Sequence, residues 1–309
     1  MNNIHTIENV NIIIPTSNEY RLRTFDEYFN ILKLPHKMKI MFLADDRHHL
    51  SKNDYENIFS ELQHREIYSL YFVSDMIESV RPYFKDAKYF DYILQKYSLS
   101  IKNLVFIWAK LILDINKSFL LDDDILFLKP LDDFYYSNDY ARKKDAMSKL
   151  CTESTKAIKQ TYSEINYDDF IKKRFHINSG SIIYKWNNKH NLVEWMHRFF
   201  DSEYVYSFVK NKSEKFITLG LKTKWGRSWQ MEQIVYGLFM YSSTGLDIYA
   251  SFGNLVNTGI SKPKEIKPLS KLHSIVHFVN RDKISVYQYY ISCLKVTDID
   301  KITSTYYNK

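Results

Sequence analysis

The stretch Leu120-Leu121-Asp122-Asp123-Asp124-Ile125-Leu126-Phe127-Leu128 sets three carboxylates inside an apolar run. The run is too short for a membrane span and reads as a buried strand. Side chains alternate across a strand, so Asp122 and Asp124 are expected on one face and Asp123 on the other. Two carboxylates on one buried face repel each other and lose their hydration. A divalent cation relieves both costs. Hard oxygen ligands suit Mn²⁺ or Mg²⁺, ions that also hold the phosphates of a substrate. The competing reading is an acidic turn at a strand end, where Asp is common. The apolar flanks, with no Gly or Pro before Pro130, favour the metal.

Other residues with chemistry sit at predicted element ends. Asn11 to Ile14 is a β-branched run stopped by Pro15, followed by Thr16, Ser17 and Asn18 and a helical pattern from Tyr20 to Leu34. The polar triplet caps that helix. It also puts the Thr16 hydroxyl at the carboxyl end of a strand, where open α/β sheets bind ligands. Lys39 to Ala44 is a second strand ending in Asp45-Asp46. An acid there either contacts a ribose or base, or caps the next helix. Asn178-Ser179-Gly180 reads as a turn before the strand Ser181 to Tyr184, and its Gly permits close backbone approach to a ligand. Glu232 and Gln233 open a helix from about Met231 to Met240. Helix-dipole stabilisation explains a Glu at that place, and so does a cleft. His277 lies in a late strand, Ser274 to Val279, and Lys283 in the loop after it, with a last helix expected over Ile284 to Leu294.

The remaining pattern adds helices over Asp54–Leu62, Asp86–Lys96, Asn103–Ile115 and Leu192–Asp201, and a strand over Tyr68–Val73. Strands alternating with helices imply one α/β domain with a mostly parallel central sheet flanked by helices. Composition shifts after Phe134, which divides the chain into about 1–134 and about 135–309. Residues 135–173 are polar and rich in Lys and Tyr, and read as an excursion from the sheet. Residues 205–224 read as a second loop region without a legible code.

Composition narrows the class. Charged residues are 26% and hydrophobic residues 45% of the 309, ordinary values for a globular protein. No run is long enough to span a bilayer, and Met1 to Val10 lacks a signal-peptide core. Two cysteines make no disulfide framework, so a cytoplasmic, reducing location is expected. The net charge of +7 permits nucleic acid, anionic lipid or a phosphorylated substrate. No zinc finger, helix-turn-helix or RNP signature is present, so no nucleic-acid partner is expected. A basic, aromatic-rich surface is compatible with peripheral contact to a membrane.

Taken together, the strand-Pro-Thr loop, LLDDDILF, NSGSIIY, WQMEQ on a helix and HFVNRDK resemble, in order, the GT-A nucleotide-sugar glycosyltransferases, closest to the family 8-like group of glycogenin and galactosyltransferases. The resemblance runs from about Ile12 to Lys283. It implies that Asp122 and Asp124 form an Asp-x-Asp motif that binds Mn²⁺ together with His277, and that Asp122, Asp123 and Lys283 hold the ribose and diphosphate. Asn178, Ser179 and Gly180 match an Asn-Ala-Gly that contacts the sugar. Trp108-Ala109-Lys110-Leu111 resembles a Tyr-Ala-Arg-Leu whose Arg binds the donor, with Lys110 keeping the charge but not the fork. Glu232-Gln233 resembles Asp-Gln at the catalytic centre. His-Phe-x-Gly becomes His277-Phe278-Val279-Asn280, a departure that Asn tolerates through its access to positive φ. The implied partners are a nucleotide-sugar donor, UDP favoured, and a glycan, protein or lipid-linked acceptor. The alternatives are a basic metal-dependent protein acting on or binding nucleic acid, and a GT-A fold that binds nucleotide without transfer.

Overall fold

The structure, a computed structural model, describes residues 9–17, 19–27, 29, 34–35, 37–47, 50–123, 125–127, 130–144, 152–172, 177–188, 191–218, 231–244, 250–251, 256–260 and 275–278. The chain begins β1 (Val10–Thr16), α1 (Glu19–Glu27), β2 (Met38–Ala44), α2 (Lys52–Ser60), β3 (Tyr68–Phe72), α3 (Val73–Val80), α4 (Phe90–Lys96), α5 (Lys102–Leu111), β4 (Lys117–Leu121) and β5 (Ile125–Phe127). It continues α6 (Asp132–Ser137), β6 (Tyr140–Lys144), α7 (Thr152–Thr161), α8 (Tyr167–Lys172), β7 (Ile177–Lys185), α9 (Leu192–Asp201), α10 (Glu203–Thr218), α11 (Met231–Thr244), β8 (Ala250–Ser251), β9 (Val256–Ile260) and β10 (Ile275–Phe278).

Among the described residues, seven strands form the main sheet in the order β3-β2-β1-β4-β7-β6-β8. The run β3-β2-β1-β4 is parallel throughout, and β7 is antiparallel to both β4 and β6. The expected α/β architecture with a mostly parallel sheet is therefore present. Its strands are apolar on both sides because both faces are covered. Ile13, Met41, Leu43, Leu120 and Ile182 pack on one side with Val105, Met196 and Val235, from α5, α9 and α11. Ile12, Ile14, Ile40, Phe42, Phe119 and Ile183 pack on the other with Leu22, Phe25, Tyr55 and Ile58 of α1 and α2. Ser51 and Asp54 close a reciprocal capping box at the start of α2.

The acidic run is not one strand. β4 ends at Leu121, which pairs with Ser181, and β5 belongs to a second sheet of order β5-β10-β9. With both faces of the main sheet covered, a continued strand would bury a carboxylate on each side, and the chain leaves the sheet instead. Strand alternation therefore does not set the faces of Asp122 and Asp123. Asn178-Ser179-Gly180 is not a turn either: it lies within β7. Pairing of β7 with β6 jumps from Ile182↔Arg142 to Asn178↔Lys143, so the turn-forming residues make an irregularity inside a strand held on both edges. The excursion over 135–173 contributes β6 to the main sheet, and α10 occupies most of the second region read as loop. Among the described residues no helix is long and apolar enough to cross a membrane. The helix expected over Ile284–Leu294 lies outside the described residues.

Candidate active site

In chain order β1, β2 and β3 build outward in one direction, and β4 then joins the free edge of β1. Strand order thus reverses between β1 and β4, and a crevice opens beyond the carboxyl ends of these strands, the place where such sheets bind ligands. An open cleft lies there. Thr16 ends β1, Asp45 follows β2, and Asp122 and Asp123 follow β4, and all four line it. β7 runs antiparallel to β4, so its beginning arrives at the same end: Asp122 N–H donates to the Gly180 carbonyl at 3.0 Å. This bond joins Asp122 of the cleft to Gly180, a further residue singled out in sequence.

Each strand-end carboxylate meets a cation. Arg47 forks onto Asp45, Nε to Oδ1 at 2.8 Å and Nη2 to Oδ2 at 2.9 Å. Asp122 accepts from Lys102 Nζ. Asp123 accepts from Arg21 Nη1 and, at 3.0 Å, from Thr16 Oγ1. Arg21 and Lys102 line the cleft beside their partners. Sequence reading missed both. The available signal was a cation in the first turn of a helix, α1 for Arg21 and α5 for Lys102, where the dipole disfavours positive charge.

Lys110 is not among the residues that line the cleft. It stands eight residues beyond Lys102, about 12 Å along the helix axis, and bonds Asp114 at 2.7 Å. Asp114 has φ 53° just past the end of α5, a left-handed stop that Asp tolerates. Lys110 thus serves the far end of the helix, and the cation that α5 presents to the cleft is Lys102. Trp108 is buried against Tyr71, their ring centroids 5.0 Å apart.

The other expected catalytic pair opens α11. Glu232 is 2% exposed and accepts from the Tyr97 phenol, itself fully buried. Burial first, then the charge of Glu232, holds the phenol well above its usual pKa, so it stays a donor. Tyr97 immediately precedes Ser98 and Leu99, which line the cleft. Tyr236, one turn further along α11, donates to the Lys102 carbonyl at 2.9 Å. Glu232 therefore stands behind the wall that carries Lys102, and Gln233 beside it is partly exposed.

Asp124, Lys283 and the side chains of Asn178, Ser179 and His277 lie outside what is described. Among the described residues no three His, Cys, Asp or Glu form a metal cluster. The donor chemistry nevertheless fits a hard divalent cation. Asp122 is a carboxylate at the cleft, paired with the Lys102 ammonium, and carboxylate oxygens are the ligands that a hard cation takes. The β5–β10 register pairs His277 with Ile125, the residue after Asp124, so the second sheet draws the histidine position to the acidic turn.

No protein-family profile matches the chain, and no curated protein does. Among solved structures it is similar to mouse xyloside xylosyltransferase 1, at 11% identity over 87% of this chain and 97% of that one, with a TM-score of 0.46. It is similar to the galactosyltransferase LgtC, solved with donor and acceptor sugar analogues, at 14% identity over 93% and 96%, TM-score 0.43. The mannosyltransferase Ktr4p of S. cerevisiae matches at 10% identity over 79% and 69%, TM-score 0.44. These similar structures are glycosyltransferases, the class that the motif order resembles.

Proposed function

We propose that the chain is a glycosyltransferase that moves a sugar from a nucleoside-diphosphate sugar, UDP-sugar in the first instance, to a hydroxyl of a glycan, protein or lipid-linked acceptor. The observation that carries this reading is the gathering of Thr16, Asp45, Asp122 and Asp123 with Lys102 at the switch point between β1 and β4. In this reading Thr16 and Asp45 lie along the nucleoside. Asn178, Ser179 and Gly180 approach the transferred sugar, and the bond from Gly180 to Asp122 keeps sugar and diphosphate subsites in register.

Asp122, Asp124 and His277 would hold Mn²⁺ or Mg²⁺, which when bound supplies positive charge against the departing diphosphate. The chain adds its own charge. Lys102 turns from Asp122 toward the phosphate oxygens as negative charge develops, and Lys283 would add a second ammonium, as the resemblance implies. A general base must reach the acceptor proton. Glu232, behind the wall and bonded to Tyr97, is instead suited to holding that wall in place, which favours the retaining course that needs no strong base. Gln233 is the partly exposed member of the pair and the one to face the sugar. The two cysteines and the basic stretch from Arg142 to Lys159 are consistent with a reducing location and with contact to an anionic membrane surface.

The test is nucleotide release from UDP-, GDP- and dTDP-sugars with Mn²⁺ and with EDTA, alongside Asp122→Asn. Slow release from one donor, abolished by the chelator and by the variant, is expected. A protein that binds none of the nucleoside diphosphates overturns the reading.

A further inference from the structure

We infer that Arg21 is a second, chain-specific cation for the donor's diphosphate, a role that rests on the nucleotide-sugar reading and deepens it. No motif of the resemblance includes this residue. Its placement asks for a reason. A cation in the first turn of α1 opposes the helix dipole, yet its side chain is only 18% exposed and points to the acidic turn, 102 residues on in sequence. Asp123 is held on both oxygens, Oδ1 by Arg21 and Oδ2 by Thr16 at 3.0 Å. A carboxylate gripped from both sides is a fixed point, and it fixes the guanidinium in turn.

Asp122 and Asp123 are adjacent, and their cations come from opposite sides, Lys102 from α5 and Arg21 from α1. Both cations line the one cleft. A diphosphate seated over the acidic turn meets a cation on each flank. A guanidinium carries five N–H donors in a planar fork, so bonds to Asp123 and to a phosphate oxygen are compatible, and the fork matches phosphate in two-point contact. Asp123 then acts as a positioning residue: it balances Arg21 before the donor arrives and keeps it aimed.

The simpler role is that Arg21 only locks α1 to the end of β4. Calorimetric titration of UDP and GDP, with the corresponding nucleosides measured by competition, separates the two in wild type, Arg21→Gln and Arg21→Lys. Arg21→Gln is expected to weaken the bound diphosphate roughly tenfold or more, the worth of a charge-assisted bond, with the nucleoside changed less than about twofold. Arg21→Lys, which keeps charge without the fork, falls between. Equal weakening of diphosphate and nucleoside, or no weakening of either, overturns the inference while leaving the donor reading intact. Wild-type protein that binds neither UDP nor GDP overturns both. Where Arg21→Gln proves too unstable to titrate, the ratio of diphosphate to nucleoside affinity in Arg21→Lys decides, since a purely structural loss lowers both alike.

Discussion

The Tyr97 phenol donates its proton to the Glu232 carboxylate across 135 residues of sequence, inside the molecule. The bond joins the residue before the cleft wall to the first turn of α11, and Tyr236 on the same helix holds the Lys102 carbonyl. α11 is in effect the backing plate of the wall that presents Lys102. Tyr97→Phe removes a donor from a buried carboxylate and is expected to cost about 1–3 kcal/mol. Glu232→Gln removes the charge instead. The two changes share one interaction, so the double variant should lose clearly less than the sum of the singles, with a coupling of about 1–2 kcal/mol. Urea unfolding of the four proteins measures it; additive losses would mean that the two groups do not support each other.

Lys102 and Lys110 share a helix but not a role. Lys102→Met should weaken nucleoside-diphosphate binding roughly tenfold, as expected for loss of a charge-assisted contact. It should also release Asp122 and so tighten Mn²⁺ on the nucleotide-free protein, visible in the free-ion signal by electron paramagnetic resonance. Lys110→Met removes the i,i+4 partner of the exposed Asp114, an interaction of small worth. Donor turnover in Lys110→Met should match wild type. Turnover lost in Lys110→Met and kept in Lys102→Met would reverse the assignment.

The same two lysines show where sequence reading succeeds and where it stops. Apolar runs identified β1, β2 and β3 within a residue or two, because a strand covered on both faces has nowhere to place a polar side chain. α9 was found with the bounds that it has, since Trp195, Met196, Phe199 and Phe200 form one apolar stripe. Local pattern misled where tertiary pairing decides. Asn178-Ser179-Gly180 carries turn residues, yet pairing of Asn178 with β6 and the bond from Asp122 N–H to the Gly180 carbonyl keep it in a strand. Asp122 and Asp123 carry strand flanks, yet both line one cleft because the strand ends before them. Arg21, Lys102 and Tyr97 act through partners 102, 20 and 135 residues away, and no local spacing encodes such pairs. The Trp108-Ala109-Lys110-Leu111 motif points to Lys110 and not to Lys102, because a short motif fixes neighbours in sequence, not which end of a helix meets the cleft.

Glu164 is one of several carboxylates that contribute to stability against acid away from the site. Arg198 forks onto Glu164, Nη1 to Oε1 at 2.7 Å and Nη2 to Oε2 at 2.9 Å, and rests over the Tyr162 ring at 4.8 Å. The bond from Arg198 holds the Glu164 carboxyl below its usual range. A depressed folded pKa contributes stability that is present above the unfolded value, about 4.3, and is lost as pH falls through the folded one. The melting temperature should therefore drop between pH 5 and pH 3, and the drop should be smaller in Glu164→Gln, which has no such proton to take up. Both groups are substantially exposed, so the difference is modest and shrinks further in high salt.

Asp45 brings the last test, because the structure gives it a partner that sequence did not suggest. Both its oxygens meet Arg47, whose third arm reaches the Leu94 carbonyl at 3.2 Å, and its own N–H donates to the Thr16 carbonyl at 2.7 Å. The end of β2 is thereby tied to β1 on one side and to α4 on the other. Asp45 is 6% exposed, so taking away its guanidinium leaves a poorly hydrated charge. Arg47→Leu should cost about 2–3 kcal/mol, near the lower limit for breaking a buried pair because the arginine is partly exposed, and adding Asp45→Asn should recover most of the loss. A carboxylate has about four acceptor sites, so Asp45 can hold Arg47 and still accept from a ribose hydroxyl. If it does, Asp45→Asn weakens a ribonucleoside diphosphate more than its 2′-deoxy counterpart, while Arg47→Lys, which leaves the carboxylate charged, keeps most of the preference for ribose. Equal affinity of the wild-type protein for the ribo and deoxy ligands would confine Asp45 to holding the strand ends together.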